Sequence, residues 1–284
     1  MKLSNINIRD PFILEEKGSY YMYGTRAKDF GQQTGGFDVY TSSDLENWSL
    51  PETCFDSKKA GLNNGVNWAP EVYKYKDSYY MFATFTKENG LRGVYILKAD
   101  APEGPFSNYS EKAVTPYDWE CLDGTLYIDN EGQPYMVFCH EHTQIIDGTI
   151  CYLKLSEDLK EAISEPTLIF SATSPSWVKK IVKDRHYITD GPFMYRTSGG
   201  KLLMLWSTHI DNKYAIAIAR SDNDNIDGNF AHLDPLFTQD GGHSMIFRVG
   251  SKLMITYHAP NISLLEKPVI KELIDTGDNI TIAK

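Results

Sequence analysis

Five polar residues stand at the head of short hydrophobic runs, and their side chains could carry out acid–base chemistry. They are Asp10, Glu71, Asp123, Asp190 and His243. Two carboxyl groups can hydrolyse a glycosidic bond, one by removing a proton from water and the other by protonating the leaving oxygen. A ring of carboxylates can also bind a hard cation such as Ca²⁺. The two kinds of chemistry are compatible, and the residue types alone favour neither.

Each of these residues opens a repeat that is typical of a β-hairpin. A short hydrophobic run is followed by a turn and then by a second run rich in Tyr, Met and Phe, as in residues 10–14 and 20–24. A third run follows each hairpin, at residues 39–41, 94–97, 150–153, 215–219 and 269–270. Five copies at intervals of about 50 to 70 residues predict an all-β fold, a five-bladed β-propeller formed by one domain over residues 1–284. A β-sandwich is the alternative, and five copies in phase disfavour it.

The outer parts of the predicted blades are less well marked in the sequence. Residues 54–55 and 168–170 are candidates for fourth strands. We expect residues 1–8 to pair with the last blade and close the ring, because this would cover an otherwise exposed sheet edge.

The first strand of a propeller blade lines the central channel, so the five leading residues should converge at one mouth of that channel. Carboxylates held close together repel one another, which raises their pKa values and destabilises the fold. Asp-Gly and Asp-Pro are also common in turns, so any single one of these residues could be structural. Five of them leading five repeats indicate a functional site.

The composition excludes several classes of partner. The 284-residue chain contains 28 Lys and Arg against 38 Asp and Glu, a net charge of −10, so it lacks the basic surface that nucleic acids and anionic membranes require. No apolar run reaches the roughly 18 residues of a membrane span. The first ten residues contain no apolar core of a secretory signal, which predicts a cytoplasmic protein unless a signal has been removed.

The four cysteines, Cys54, Cys121, Cys139 and Cys151, form no Cys-x-x-Cys pair. This spacing disfavours a zinc site. A chain of this length can be stabilised by its hydrophobic core, so buried free thiols are predicted rather than disulfides.

Six short motifs resemble those of one known family. They occupy residues 9–12, 42–48, 68–72, 123–125, 190–193 and 241–244. At these motifs the chain resembles the family 43 glycoside hydrolases, which are five-bladed propellers of the clan shared with arabinanases. The resemblance implies that Asp10 is the general base and that Asp123 orients the general acid and tunes its pKa. It also implies that His243 approaches a central calcium ion, often through water.

The sequence departs from the family pattern at the general acid. Asp190 stands where the family usually has Glu, and its side chain is shorter by about 1.5 Å, one C–C bond. An inverting enzyme holds its two carboxyl groups about 6.5 to 9.5 Å apart, so either blade four shifts inward or another residue donates the proton. The alternative is Glu141, which follows the second run of the third repeat. The two candidates for the proton donor are nearly equal. Because Glu141 has the longer side chain, we expect Glu141→Gln to lose most activity on substrates with poor leaving groups.

Further residues are candidates for binding a sugar. Trp68 and Trp119 lie close to the leading positions of the second and third repeats, where aromatic rings can stack on the apolar faces of sugars. Glu71 and His243 would reach the same space. Packing in the core is the ordinary alternative for both tryptophans.

By the resemblance, the hypothesis is an inverting, exo-acting glycosidase that cleaves arabinofuranosyl, xylosyl or galactosyl linkages of plant-type glycans, with an oligosaccharide as its partner. Its catalytic candidates are Asp10, Asp123, Glu141 and Asp190. The predicted cofactor is Ca²⁺ near His243 on the channel axis, held mostly by water. The alternative is a catalytically inactive propeller that binds carbohydrate or another protein, which the absence of the usual Glu favours.

Overall fold

Each of the five predicted repeats folds as an antiparallel sheet of four strands, and the five sheets form a five-bladed β-propeller. The computed structural model describes residues 1–29, 35–178 and 186–284. Within each blade the strands follow one another in chain order from the channel outward. The predicted all-β fold is therefore confirmed, including the fourth strands near residues 54–55 and 168–170.

The strands of the described residues are as follows. Blade one contains β1 (Ile8–Glu16), β2 (Ser19–Arg26), β3 (Gly36–Ser42) and β4 (Glu52–Asp56). Blade two contains β5 (Asn67–Tyr75), β6 (Ser78–Thr86), β7 (Arg92–Ala99) and β8 (Ser107–Asn108). Blade three contains β9 (Cys121–Ile128), β10 (Pro134–His140), β11 (Thr149–Lys154) and β12 (Thr167–Ser171). Blade four contains β13 (Asp190–Arg196), β14 (Leu202–Ile210), β15 (Lys213–Ser221) and β16 (Phe230–His232). Blade five contains β17 (Gly242–Val249), β18 (Lys252–Ala259), β19 (Lys267–Asp275) and β20 (Ile280–Ile282).

Helices are few and short in the described part of the chain. One α-helix of four residues, α1 (His142–Ile145), follows β10. Two 3₁₀ helices span Leu3–Asn5 and Ala27–Asp29. None of these helices has the length and apolar character needed to cross a membrane.

The hydrophobic core lies between neighbouring blades. One cluster of buried side chains joins blades two and three, another joins three and four, and a third joins four and five. The blade-one cluster contains Phe37 and Phe55, which pack on Phe85 of blade two with ring centroids 5.9 and 5.6 Å from it. Because the inner strands are covered on both faces, they are continuous apolar runs rather than alternating ones, and β10 is buried along its whole length. All four cysteines are buried free thiols, as predicted.

A β-bulge interrupts the first strand of every blade at the same place. The residue in the bulge has a positive φ in each case: Asp10 (53°), Ala69 (47°), Asp123 (55°), Gly191 (47°) and His243 (54°). This left-handed conformation costs a residue other than glycine about 1 kcal/mol or more. A bulge re-aims side chains at the end of a strand, so its repetition fixes which residues face the channel mouth.

The bulge amides connect each blade to the one before it. In four blades the bulge N–H donates to a side chain on the second strand of the preceding blade. These bonds run from Ala69 to Thr25 Oγ1 (2.8 Å), from Asp123 to Thr84 Oγ1 (3.1 Å), from His243 to Ser207 Oγ (2.8 Å) and from Asp10 to His258 Nδ1 (3.2 Å). In blade four the Gly191 amide donates instead to the Asp123 carboxylate. The acceptors lie on buried strands, so these bonds hold the blades in register around the channel.

The bulges correct one expectation from the sequence. Asp10, Asp123 and His243 occupy equivalent positions, but Glu71 lies two residues beyond the bulge residue of blade two, and Asp190 lies one residue before that of blade four. The five leading residues are therefore not all at one level of the channel. The bulge positions of these two blades are taken by residues without a polar side chain, so polarity alone gave the wrong alignment.

The ring closes differently from the prediction as well. Residues 1–7 add no strand to blade five, whose four strands all come from Gly242–Ile282. Instead, Lys2 forms a bridge with Asn47 of blade one. The first and last blades are joined by side chains, among them an Arg9–Glu266 ion pair of 2.8 Å and a hydrogen bond of 2.7 Å from Asn7 to the Leu264 carbonyl.

Thr84→Val tests the contribution of the bulge hydrogen bonds. Thr84 is fully buried, and Val keeps its shape while removing the acceptor of the Asp123 amide. An unpaired buried amide should lower the free energy of unfolding by roughly 1–3 kcal/mol, measured by urea denaturation. The control is Thr167→Val on the exposed edge strand β12, which should change stability by less than about 0.5 kcal/mol. Equal effects of the two substitutions would contradict this role.

Candidate active site

Asp10 is a buried carboxylate at the bulge of β1. Its Oδ1 lies 3.2 Å from Nδ1 of His243. Burial alone would raise the pKa of Asp10, but His243, Arg9 and a hydrogen bond from Thr25 lower that pKa below its ordinary value. Asp10 is therefore ionised at neutral pH. An ionised carboxylate held next to a channel can accept a proton from water.

Asp123 is held between blades three and four. Its Oδ2 accepts the Gly191 N–H at 2.9 Å and lies 3.8 Å from Nδ1 of His243. Burial and the charges of Asp10 and Glu141 raise the pKa of Asp123 to about 8, although the bond from Gly191 opposes the increase. This carboxyl group therefore tends to hold a proton at neutral pH.

Asp190 is the first residue of β13 and the most accessible of the four catalytic candidates. Asp10, Asp123 and Glu141 are buried, whereas Asp190 is partly exposed. The hydroxyl group of Tyr214 donates to Oδ2 of Asp190 at 3.0 Å. Although part of the residue is exposed, its carboxyl group is largely screened from water by the protein, and this burial and the charges of Asp123 and Glu141 raise its pKa to about 8.

Glu141 follows β10 directly and caps α1. Its Oε1 accepts the N–H of His142 at 3.1 Å, and its Oε2 forms an ion pair of 2.8 Å with Arg92. Glu141 belongs to the same cluster as Asp123 and Asp190, since its charge raises the pKa of both. The structure thus brings together the four carboxyl groups that the sequence predicted as catalytic candidates.

Glu71 lies deeper in the channel. It pairs in register like Phe12 of blade one, two residues beyond the bulge. The hydroxyl group of Tyr73 donates to Oε2 of Glu71 and is 2.6 Å from Oγ1 of Thr125. Burial raises the pKa of Glu71 to about 7, although both hydroxyl groups oppose the increase. Its contact with a substrate stays a prediction.

The two tryptophans differ in their surroundings. Trp68 is partly exposed, and the Arg92 guanidinium lies over its ring, 5.1 Å from the centroid. Since Arg92 also binds Glu141, Trp68 is adjacent to the carboxyl cluster. Trp119 stacks on His140, with centroids 4.2 Å apart and an angle of 13° between the rings. One face of Trp119 is therefore already occupied by the protein.

Sequence reasoning missed Tyr214 and His258. The ring of Tyr214 stacks on that of His258, with centroids 5.5 Å apart, and it packs over Gly242. His258 accepts the amide of Asp10, so its Nδ1 carries no proton there. A usable signal was present for His258: the second hydrophobic run of blades one, two, four and five ends on a polar residue that points inward. Tyr214 offered no such signal, because many strands contain tyrosine.

A calcium site remains a prediction. Within the described ranges, no three His, Cys, Asp or Glu side chains are placed to hold a metal ion together. Ca²⁺ prefers about six to eight oxygen ligands. Nδ1 of His243 is directed at Asp10 and Asp123. These side chains alone do not make a calcium cage, and the chemistry proposed below does not use the ion.

Comparisons with known proteins agree on one family. The model of the family described as "Glycosyl hydrolases family 43" matches residues 3–278. The crystal structure of an endo-arabinase from Bacteroides thetaiotaomicron VPI-5482 is 40% identical and has a TM-score of 0.89, covering 98% of this chain and 99% of that chain. Alpha-L-arabinofuranosidase 43 of Humicola insolens is 24% identical over 223 residues, which are 75% of this chain and 44% of that protein. Xylosidase/arabinosidase 43A of the same fungus is 24% identical over 150 residues, 48% of this chain and 44% of that protein. The chain spans less than half the length of the curated relatives it matches.

The calcium prediction can be tested by thermal melting. If an ion binds near His243 mostly through water, adding Ca²⁺ should raise Tm, because a ligand that binds only the folded state stabilises it. EDTA should reverse the increase, and elemental analysis should find at most one calcium ion per chain. Mg²⁺, which keeps its own water shell and needs a tighter geometry, is the control. The absence of both bound metal and a Tm change would limit His243 to its contacts with Asp10 and Asp123.

Proposed function

Because the chain belongs to the family 43 glycosyl hydrolases, we propose that it hydrolyses glycosidic bonds, with Asp10 as general base and Asp190 as general acid. The observation that carries the proposal is the opposite shift of two pKa values within one cluster. The pKa of Asp10 is lowered, whereas that of Asp190 is raised to about 8. Carboxyl groups whose environments separate their pKa values in this way suit the roles of base and acid at neutral pH.

Asp10 removes a proton from the attacking water molecule. The water attacks the anomeric carbon from the face of the sugar ring opposite the leaving group, and the ionised carboxylate takes its proton. The contact with His243 and the bond from the Asp10 amide to His258 fix the position of this carboxylate. Both partners are buried, so the base is held in place before the substrate arrives.

Asp190 protonates the glycosidic oxygen. Two observations support Asp190 over Glu141: Asp190 is partly exposed, and its raised pKa keeps a proton available at neutral pH. Tyr214 donates to one of its oxygens and orients the group. Glu141 has the longer side chain, but its two oxygens are held by Arg92 and by the first amide of α1. These observations favour Asp190 as the proton donor, whereas side-chain length alone favoured Glu141.

Asp123 supports the proton donor. Its Oδ2 accepts the amide of Gly191, the residue that follows Asp190, and whenever Asp123 is ionised its charge raises the pKa of Asp190. One side chain, that of Asp123, therefore influences both the pKa and the position of the proton donor. This matches the role that the family resemblance implied for Asp123.

We further propose inversion of configuration and action on chain ends. Water activated by a base gives inversion in a single displacement, which NMR of the first-formed sugar anomer would test. Three of the four carboxyl groups are buried, which supports a pocket that receives the end of a chain. A related structure is described as an endo-arabinase, so the product sizes released from linear arabinan decide between exo and endo action.

The proposed substrates contain α-L-arabinofuranosyl linkages. The support is the 40% identity, over nearly the whole of both chains, to the structure described as an endo-arabinase. A xylosyl substrate is the second candidate, because one relative is named for both xylosidase and arabinosidase activity. Galactosyl linkages have no support from the named relatives. Hydrolysis of aryl arabinofuranosides and xylosides would rank these sugars, and a folded protein inert on all of them would favour a binding function.

Asp10→Asn tests the base. The amide cannot accept a proton from water, so kcat on an arabino-oligosaccharide should fall by about 10²-fold or more. The matched control is Asp278→Asn on the exposed surface of blade five, which makes the same change in charge and should leave the rate unchanged. Circular dichroism would check that both variants are folded. Retention of more than about a tenth of the wild-type rate by Asp10→Asn would exclude Asp10 as the base.

Leaving-group dependence separates Asp190 from Glu141. A lost general acid matters most when the departing alcohol is basic, whereas an activated aryl group leaves almost unaided. Asp190→Asn should therefore lower the rate on an oligosaccharide by about 10²-fold or more and spare an activated aryl glycoside by comparison. Glu141→Gln should slow both substrates to a similar degree. The reverse pattern would assign proton donation to Glu141.

A further inference from the structure

One position on the second strand of each blade receives the bulge amide of the next blade. It is the residue that pairs with the position just before the first-strand bulge: Thr25, Thr84, Ser207 and His258 in blades one, two, four and five. Each of these side chains accepts the following bulge amide at 2.8 to 3.2 Å. All four side chains are fully buried. The position therefore has a defined role in the propeller.

Blade three has a different residue at this position. Cys139 pairs with Leu122, just before the bulge at Asp123, and is fully buried. A thiol is a weak hydrogen-bond acceptor compared with a hydroxyl group or an imidazole nitrogen. The next bulge amide is that of Gly191, and it donates to Oδ2 of Asp123 at 2.9 Å instead.

We infer that Cys139 is a positioning residue: by offering the Gly191 amide no strong acceptor, it leaves that amide to Asp123 and so fixes this carboxylate beside Asp190. The donor of the bond, Gly191, adjoins Asp190 in the chain. The bond therefore sets the distance between the two carboxyl groups directly. The catalytic consequence rests on the proposed function, whereas the hydrogen-bond arrangement does not.

The bond also accounts for how Asp123 can be buried at all. A carboxylate removed from water needs hydrogen bonds or a positive charge. His243, whose Nδ1 is 3.8 Å away, is beyond hydrogen-bond distance. An amide that is free to donate supplies a hydrogen bond to the Asp123 carboxyl group at this point. A hydroxyl group at position 139 would compete for that amide, as the equivalent residues do in the other four blades.

Two substitutions, Cys139→Ser and Cys139→Ala, distinguish side-chain size from hydrogen-bond acceptor strength. The two properties predict opposite orders of severity for these variants. Ser is close to Cys in shape and would be the milder change if residue 139 only filled space. Ala leaves a larger void but offers no acceptor. If the inference holds, Cys139→Ser disturbs Asp123 more than Cys139→Ala does. A purely structural role gives the reverse order.

NMR of the Gly191 amide measures the bond without any need for catalysis. Labelling with ¹³C-carbonyl Asp and ¹⁵N-Gly restricts the carbonyl-correlated signals to the Asp-Gly pairs of the chain. In the wild type and in Cys139→Ala, the Gly191 amide proton should shift with a midpoint near the pKa of Asp123, about 8. In Cys139→Ser the part of the shift that comes from Asp123 should be lost, because the serine hydroxyl group accepts the amide. Asp123→Asn shows how much of the shift comes from the adjacent Asp190.

Equal titration of Gly191 in the Ser and Ala variants would overturn the inference. If Cys139→Ser does not fold, Cys139→Thr makes the same test, since Thr fills the equivalent position in blades one and two. If neither folds, a wild-type Gly191 amide whose titration does not depend on Asp123 would overturn it, and one that does depend on Asp123 would support it.

The kinetic readout then tests the link to catalysis. Cys139→Ser should lower kcat about tenfold relative to Cys139→Ala, with KM little changed, because small displacements of catalytic groups are costly in the transition state. A protein that is inactive but shows the expected Gly191 titration would refute the proposed function and leave the hydrogen-bond inference standing. An active protein whose Gly191 amide lacks that titration would refute the hydrogen-bond inference and leave the proposed function standing.

Discussion

The hydrogen bond from each bulge amide to its neighbour couples the packing of the blades to the position of the functional groups. The bulge turns three side chains, those of Asp10, Asp123 and His243, toward the same mouth of the channel. The amide of the same residue is held by the adjacent blade. A shift of one blade would therefore move a carboxyl group as well. The left-handed backbone conformation of these residues is unfavourable. It persists because the surrounding structure holds the bulge in place.

The carboxyl groups of the cluster have different surroundings. These differences determine which group is ionised and which can donate a proton. Asp10 has His243 and Arg9 nearby, and its pKa falls despite burial. Burial and the charges of Asp10 and Glu141 raise the pKa of Asp123, and burial and the charges of Asp123 and Glu141 raise that of Asp190. Burial lowers the pKa of His258 to about 3, so its ring is neutral and serves as a hydrogen-bond acceptor rather than as a positive charge. Asp10 is thus kept ionised, whereas Asp123 and Asp190 tend to hold protons at neutral pH.

Much of the fold was predictable because propeller blades repeat. The hydrophobic runs gave the strands and their number, and the leading Asp10, Asp123 and His243 proved equivalent in register. Glu71 and Asp190 were misplaced because the bulge selects a backbone conformation, which Ala69 and Gly191 also adopt. A pattern of polar residues does not report that conformation.

Residues from the second and third strands were harder to predict. His258 reaches the cluster through the register of β18 with the first strand β17, and that register contains the bulge. Tyr214 reaches it from β15, which is connected to the first strand β13 only through β14. The closure of the ring was predicted wrongly because the sequence does not show that side chains such as Arg9 and Glu266 replace a shared strand. The catalytic roles themselves came from the family resemblance and from chemistry, not from strand periodicity.

In the part of the chain that the structure describes, the four strands of each blade follow one another in sequence, and no strand is shared between the two ends. The pairing of strands within each sheet therefore does not depend on which blade comes first in the chain. New termini placed in a loop between blades, such as residues 57–66, with the present ends joined by a linker, would cut no strand ladder. Such a circular permutant could keep all five sheets, with the present seam between the first and last blades spanned by the added linker.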